Sequence, residues 1–236
     1  EGGAVHSRME DYARLLAPLG YVCFVIEYRL TPELPIPSNP LDSPGFQTAE
    51  EAVTPAALAR TNFARGASGL PPLTLDEHSS EIMNGVMAAA EDADAAVRHI
   101  RNAASDYGVD PNRIAMGGHS AGGTTVLNAA FGLGTPLAAI FPLSPAPSGF
   151  DMREVVTGDG PPTLLLMSQY DAPVITEGMP DFIQILAAAD VDYRFAWVPG
   201  FEHFYPTGAV SLANDGTRMS VGERVTEFLG ETIGTR

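Results

Sequence analysis

The sequence predicts one α/β domain with a mostly parallel sheet and helices on both of its faces. Short apolar segments alternate with amphipathic helical stretches along the 236 residues, and 45% of the residues are hydrophobic. Alternation of this kind favours parallel strands, because the helices that connect them cover both faces of the sheet. The predicted strands are Val22–Glu27, Ile114–Gly118, Leu137–Leu143, Thr163–Ser168 and Tyr193–Val198.

The helices are predicted from apolar residues that recur every three or four positions. The clearest helix covers Ile82–Ser105, where Val86, Ala89, Ala93 and Val97 share one face. Further helices are predicted at Met9–Pro18, Ala121–Leu133, Asp181–Ala189 and Val221–Thr232. These elements leave one long segment of the chain unassigned.

That segment, residues 33–80, interrupts the alternation of strands and helices. It is rich in proline, glycine and polar residues, and it is too long for an ordinary connection. Apolar residues such as Phe46 and Leu58 give it side chains to bury. We therefore predict a lid or cap inserted into the single domain of residues 1–236, with a short helix around Pro55–Arg65. The alternative is a flexible surface segment.

The composition restricts the partners of the protein. The formal net charge is −16 and all thirteen basic residues are arginine, so neither nucleic acids nor anionic membrane surfaces are expected partners.

No apolar run has the length of a membrane span. No signal peptide is visible, which favours a cytoplasmic over a secreted location, although a leader removed ahead of Glu1 is compatible with the sequence. The sequence is also compatible with a homodimer. The single cysteine, Cys23, is expected to be buried and cannot form an intrachain disulfide.

A Gly-x-Ser-x-Gly sequence lies between a predicted strand and a predicted helix. Its residues are Gly118, His119, Ser120, Ala121 and Gly122. A serine on such a sharp turn is held in a strained conformation with its hydroxyl exposed, and the small residues around it let the two backbones pass closely. We predict that Ser120 is a nucleophile and that His119 is a surface-facing spacer. A His119 that lines a pocket is the alternative.

A serine hydroxyl needs a neighbouring base to remove its proton. After a strand–serine–helix turn of this kind, the carboxylate and the base follow in the order Ser, Asp or Glu, His. Of the five histidines, only His203 lies downstream of the turn, in the loop after the last predicted strand. Asp171 follows the preceding strand, Thr163–Ser168, and is predicted to orient the imidazole and stabilise the imidazolium. Glu177 and Asp181 are the fallback carboxylates.

Backbone N–H groups that stabilise a developing oxyanion are predicted at two places. One is Ala121, directly after the nucleophile. The others are Gly3 and Ala4, in a glycine-rich turn ahead of the first predicted helix and strand, for which a frayed terminus is the alternative. The sequence has no His pair at helical spacing and no Cys cluster, so no metal is predicted. No glycine loop suited to phosphate occurs apart from the serine turn, so a nucleotide cofactor is not predicted either.

Together these segments resemble the α/β-hydrolase superfamily, in particular carboxylesterases of the hormone-sensitive-lipase and feruloyl-esterase-like groups. The matching segments span nearly the whole chain and are Gly2–Ala4, Tyr28–Glu33, Tyr107–Ile114, Gly117–Gly123, Asp171 and His203. The Tyr-Arg-Leu-x-Pro-Glu and Asp-Pro-x-Arg-Ile motifs are more specific to these esterases than Gly-x-Ser-x-Gly. The resemblance implies an α/β-hydrolase fold, a Ser-His-Asp catalytic triad with the roles given above, and no cofactor.

The sequence departs from this family in three respects. Glu1 stands where family members usually have a histidine before the glycine turn, and the segment between Glu33 and Ile82 is longer than is common. The family also has about three strands ahead of the glycine turn, one of them in the middle of the sheet, and these N-terminal strands are missing here. A missing central strand would leave buried backbone groups unpaired. We therefore expect either that an upstream segment is absent from this sequence, which we favour, or that the sheet is rebuilt in an unusual way, for example with a second copy.

The sequence thus predicts a serine carboxylic-ester hydrolase that acts on neutral, small to medium esters through an acyl-enzyme. A peptidase or thioesterase of the same fold is an alternative, since a triad alone does not choose the leaving group. Acyl transfer to an alcohol other than water is a further alternative. A catalytically silent binding protein of this fold is the alternative from a different class.

Overall fold

The computed structural model describes residues 3–47, 55–67 and 69–234. In this part of the chain the sheet has six strands, arranged in the order in which they occur in the sequence. The strands are β1 Ala115–His119, β2 Ala139–Leu143, β3 Thr163–Tyr170, β4 Tyr193–Glu202, β5 Val210–Ala213 and β6 Arg218–Ser220. Strands β1 to β4 are parallel, and β5 and β6 extend the sheet in antiparallel pairing beyond β4.

Helices precede and connect these strands. Within the described ranges the α-helices are α1 Gly3–Leu16, α2 Pro55–Ala67, α3 Leu75–Asn102, α4 Ala104–Tyr107, α5 Ala121–Leu127, α6 Met152–Val155, α7 Pro173–Ala188 and α8 Val221–Thr232. Capping boxes fix two of the helix starts: Thr74 pairs with Glu77 at α3, and Ser220 pairs with Glu223 at α8. Among these helices, none is both long and apolar enough to cross a lipid bilayer.

Hydrophobic side chains fill both sides of the sheet. Leu164 and Leu166 of β3 join a core that includes Phe228 of α8, whereas Leu165 and Met167 join a second core against α3, α5 and α7. Neighbouring residues enter different cores because successive side chains of a strand point to opposite faces. Helices therefore cover both faces, as the sequence predicts.

Most of the predicted elements are confirmed. The predicted strands Ile114–Gly118, Leu137–Leu143, Thr163–Ser168 and Tyr193–Val198 correspond to β1, β2, β3 and β4. The predicted helix Val221–Thr232 has the bounds of α8, and α2 contains the short helix expected around Pro55–Arg65. The function of residues 33–80 as a lid stays a prediction.

The predicted strand Val22–Glu27 is wrong. Residues 21–30 form neither strand nor helix. A strand needs a neighbour with which it exchanges backbone hydrogen bonds, and a cavity of about 640 Å³ lies between this segment and β1, lined by residues of both. Among the strands of the described residues, β1 therefore pairs with β2 alone.

Helix α7 and strands β5 and β6 also differ from the elements predicted from the sequence. Helix α7 begins at Pro173 rather than at Asp181, and Pro180 lies inside it instead of marking its start. Buried Ile175 and Met179 lie four residues apart on the inner face, and their packing outweighs the cost of an interior proline. Strands β5 and β6 are not among the predicted elements, because runs of four and three residues are too short to show a period.

Ionic hydrogen bonds fasten residues 29–39 to helix α3. The Arg29 guanidinium donates to the Asp92 carboxylate at 2.8–3.0 Å and to Glu91 at 3.1 Å. Glu91 also accepts hydrogen bonds from the backbone N–H groups of Ser38, at 3.0 Å, and Asn39, at 2.5 Å. Two neighbouring acidic residues of one helix therefore fix the path of the chain at both ends of this stretch.

Candidate active site

Four polar residues follow the four parallel strands. Ser120 comes directly after β1, Ser144 after β2, Asp171 after β3 and His203 after β4. The carboxyl ends of parallel strands lie at the same edge of a sheet, where open α/β folds form their sites. The topology therefore brings together groups that are far apart in the sequence.

Ser120 occupies a strained turn between β1 and α5. Its φ is 58° and its ψ is −120°, a conformation that residues other than glycine adopt rarely and at an energetic cost. The turn is held by a hydrogen bond from the Ser120 N–H to the Leu143 carbonyl at 2.9 Å, and by one from the Thr124 N–H to the Ser120 carbonyl at 2.9 Å. Gly118 has no room for a side chain, because a Cβ there would come within 2.4 Å of the Gly122 backbone.

His203 lies between the serine and a carboxylate. Its Nε2 is 2.6 Å from Ser120 Oγ, and its Nδ1 is 2.6 Å from Oδ1 of Asp171. Since an ionised carboxylate only accepts, Nδ1 carries the proton, and Nε2 of the neutral ring accepts from the Ser120 hydroxyl. The His203 side chain is 23% exposed and that of Asp171 is 0% exposed. The three residues predicted as nucleophile, base and orienter thus form one hydrogen-bonded chain.

Asp171 is surrounded by hydrogen-bond donors. Its Oδ2 accepts from the hydroxyls of Ser144 at 2.5 Å and Ser168 at 3.0 Å, and its Oδ1 accepts from the Ala172 N–H at 2.9 Å. Burial by itself raises the pKa of the Asp171 carboxyl, but hydrogen bonds from His203, Ser144 and Ala172 outweigh it and hold that pKa below its ordinary value. The carboxyl is therefore ionised at neutral pH, as a partner for an imidazolium must be.

The predicted oxyanion donors lie at helix starts. Ala121 is the first residue of α5, so its N–H is at the N-terminus of that helix, directly after the serine. Gly3 and Ala4 are the first two residues of α1, and the rest of the predicted glycine turn lies outside the described residues. The role of these three backbone N–H groups stays a prediction.

The prediction that His119 is a surface-facing spacer is wrong, because the residue is only 3% exposed. Its ring stacks on Phe204 with centroids 5.1 Å apart and planes at 24°. It also packs against His203 at 5.1 Å and Tyr205 at 5.3 Å. The loop after β4 folds back over the end of β1, and such a long-range contact leaves no trace in the sequence around the serine.

Three polar residues near the carboxylate are not among the predicted site residues: Ser144, Ser168 and Tyr205. Ser144 is the first residue after β2, and Ser168 lies near the carboxyl end of β3. Buried hydroxyls almost always have a hydrogen-bond partner. A serine at the carboxyl end of an apolar strand is therefore a usable signal of a hydrogen bond near the site. Tyr205 follows His203 by two positions and carries no comparable signal. In the described ranges, no group of three or more His, Cys, Asp or Glu side chains is arranged to hold a metal ion.

Comparison with known proteins adds a family match. The model of the BD-FAE family, an esterase family of the α/β-hydrolase type, matches residues 76–181. This range includes α3, the serine turn and Asp171, and it ends before His203. No curated protein sequence matches the chain significantly.

Solved structures share the fold of the chain. The apo form of Thermogutta terrifontis esterase 2 aligns with a TM-score of 0.51 and 20% identity, covering 64% of this chain and 67% of that chain. The chain therefore has the α/β-hydrolase fold. The same Thermogutta terrifontis enzyme phosphoramylated by tabun aligns at 0.51 with 18% identity and coverages of 64% and 66%. A truncated carbohydrate esterase from gut microbiota aligns at 0.49 with 17% identity and coverages of 62% and 68%. The chain thus covers about two thirds of the length of the structures that it matches.

Proposed function

We propose that this α/β-hydrolase cleaves carboxylic esters through an acyl-enzyme formed on Ser120. The observation that carries the proposal is the unbroken chain of hydrogen bonds from Ser120 through His203 to Asp171, with both links at 2.6 Å. The family match over residues 76–181 supports an ester as the substrate class. The net charge of −16 favours neutral substrates, because an anionic ester would be repelled by the protein.

In the first half-reaction, Ser120 Oγ forms a bond to the ester carbonyl carbon while its proton passes to Nε2 of His203. The bond between the carbonyl carbon and the alkoxy oxygen then breaks, and His203 gives that proton to the departing alcohol. In the second half-reaction, water attacks the acyl-enzyme and loses a proton to His203. The bond between the carbonyl carbon and Ser120 Oγ then breaks, the acid is released, and Ser120 Oγ recovers that proton from His203. Asp171 stays ionised throughout and stabilises the imidazolium.

The negative charge that develops on the carbonyl oxygen requires N–H donors. Ala121 is the proposed first donor, because its N–H stands at a helix N-terminus directly after the nucleophile. Gly3 and Ala4 are the proposed further donors. Substrate size is proposed as small to medium, and the chain-length profile of hydrolysis measures it directly.

The test is hydrolysis of p-nitrophenyl acetate, butyrate and octanoate by the wild type and by Ser120→Ala. We expect turnover by the wild type and its loss in the variant, with circular dichroism showing that both are folded. Since one of the similar enzymes is described as modified by an organophosphate, a fluorophosphonate should label the wild type once, at Ser120. A folded wild type that neither hydrolyses esters nor takes the label would overturn the proposal and favour a silent binding protein.

Matched substrates separate the alternatives within hydrolases. A thioester and an anilide with the same acyl group as the best p-nitrophenyl ester are compared by kcat/KM. We expect the oxygen ester to be the best substrate. A clear preference for the thioester or the anilide would identify a thioesterase or a peptidase instead.

A further inference from the structure

A buried group of hydroxyls lies behind the carboxylate of Asp171. Ser144 and Ser168 are 0% exposed, and Tyr205 is 2% exposed. Ser144 Oγ lies 2.5 Å from Asp171 Oδ2 and 3.2 Å from the Tyr205 hydroxyl. Tyr205 belongs to the same loop as His203, two positions further along. One serine therefore joins the carboxylate to the loop that carries the base.

The direction of these hydrogen bonds follows from what each group can donate. The ionised Asp171 only accepts, so the Ser144 hydroxyl gives its single proton to Oδ2. The remaining partner of Ser144 must then be a donor, and Tyr205 supplies that proton. Burial raises the pKa of the Tyr205 phenol well above its ordinary value, so the phenol keeps its proton. The donors thus point one way, from Tyr205 to Ser144 to Asp171.

The backbone fixes Ser144 in this position. Its φ is 46°, a left-handed value that is unfavourable for a residue with a side chain. Its N–H donates to the Leu166 carbonyl of β3 at 2.7 Å, and the carbonyl of the preceding residue, Leu143, accepts from the Ser120 N–H at 2.9 Å. The end of β2 is therefore tied both to the nucleophile turn and to the strand that leads to Asp171.

We propose that Ser144 is a positioning residue that, together with Tyr205, holds Asp171 in line with His203. The inference rests on the proposed ester hydrolysis, in which Asp171 must stabilise an imidazolium. Ser168 donates to the same oxygen at 3.0 Å, but it lies three residues before Asp171 and fixes the carboxylate relative to its own strand. Ser144 instead links the loops that follow β2, β3 and β4.

The proposal predicts a specific kinetic effect of Ser144→Ala. We expect kcat to fall on the order of tenfold, because Asp171 is no longer held in line with His203, while KM changes little. A carboxylate with one donor fewer attracts the imidazolium more strongly. The acid limb of the kcat/KM profile therefore moves to higher pH, which a loss of packing alone would not produce.

A double-mutant cycle tests the link between Ser144 and the loop that carries His203 and Tyr205. Tyr205→Phe removes the phenol proton donor and keeps the ring, and it should lower kcat less than Ser144→Ala does. Because Tyr205 acts through Ser144, the double variant should be no slower than Ser144→Ala alone. Ser168→Ala is the matched control, since Tyr205→Phe should keep its full effect in that background. Additive losses in the Ser144 cycle, or a change confined to KM, would overturn the proposal.

A readout without substrate separates failure of this inference from failure of the proposed function. The proton between Nδ1 of His203 and Asp171 is followed by its far-downfield proton NMR resonance in the free protein. The resonance should shift in Ser144→Ala even where the wild type hydrolyses no ester tested, and an unchanged resonance counts against the inference. Should Ser144→Ala fail to fold, Ser144→Gly serves instead, because glycine accepts the positive φ and also lacks the hydroxyl.

Discussion

Arg29 binds Asp92 with both its side chain and its backbone. Its Nη2 lies 2.8 Å from Oδ1 of the carboxylate, and its N–H lies 2.8 Å from Oδ2. Burial by itself raises the pKa of the Asp92 carboxyl, but the hydrogen bonds from Arg29 outweigh it and hold that pKa below its ordinary value. The Tyr-Arg-Leu-x-Pro-Glu motif therefore acts as an attachment of the chain to helix α3.

Arg29→Lys should weaken this attachment. An ammonium lacks the planar fork with which Arg29 also donates to Glu91 and to the Ile36 carbonyl. The free energy of unfolding in urea should fall by about 1–2 kcal/mol, the scale of a hydrogen bond to a charged group. Arg14→Lys is the control, because Arg14 is 68% exposed in its surface pairs and should change stability little. Equal losses in the two variants would contradict the special role of Arg29.

Two glycines of the serine turn should respond in opposite ways to alanine. In Gly118→Ala the new Cβ would lie 2.4 Å from the Gly122 backbone, so the turn must shift. We expect a loss of about 1–3 kcal/mol, as for overpacked cores, together with slower fluorophosphonate labelling. In Gly122→Ala the nearest atom is the Tyr28 hydroxyl at 3.8 Å, so the helix should gain up to about 1 kcal/mol. Similar denaturation midpoints for both variants would refute this difference.

The lowered pKa of Asp171 predicts an acid-labile contribution to stability. A carboxyl whose folded pKa lies below its unfolded value of about 3.9 stabilises the native state above that pH. The contribution is lost as the pH falls from about 3.9 through the folded pKa, because the unfolded chain then binds more protons. Urea unfolding between pH 7 and pH 3 measures it. Asp171→Asn, which cannot titrate, should show a shallower decline, and identical slopes would count against the prediction.

His119 should stabilise the loop after β4 through the packing of its ring. His119→Ala removes a buried ring that packs on Phe204 and His203, and we expect a loss of about 2–4 kcal/mol with slower fluorophosphonate labelling. His119→Phe keeps an aromatic ring of similar size and should retain most of the stability and labelling rate. If both substitutions are equally harmful, the polar atoms of His119 matter more than its packing.

The parallel part of the sheet could be predicted because each of its strands is an apolar run between helices. The segment Val22–Glu27 has the same local signal and is not a strand, because pairing depends on the distance to a neighbour and not on composition. Helix α7 shows the same limit of local rules, since Pro180 marks a boundary in sequence but tertiary packing carries the helix across it.

The hydrogen-bonded chain of Ser120, His203 and Asp171 could be predicted because parallel topology fixes where its members occur. Once Ser120 follows one strand, Asp171 and His203 must follow later ones, and each loop offers few choices. His119 and Tyr205 could not be assigned in this way. Their environments depend on a loop that returns from β4 across the edge of the sheet, and no local pattern encodes that return.

The order of the strands has a consequence for when Ser120 acquires the reactivity proposed for it. Each strand pairs with its neighbour in the chain, so the sheet can grow one strand at a time from β1 to β4. The serine turn can form with β1 and β2, but its base lies 83 positions further along, after β4. During refolding, capture of Ser120 by a phosphonate would therefore mark the time at which the fourth strand docks.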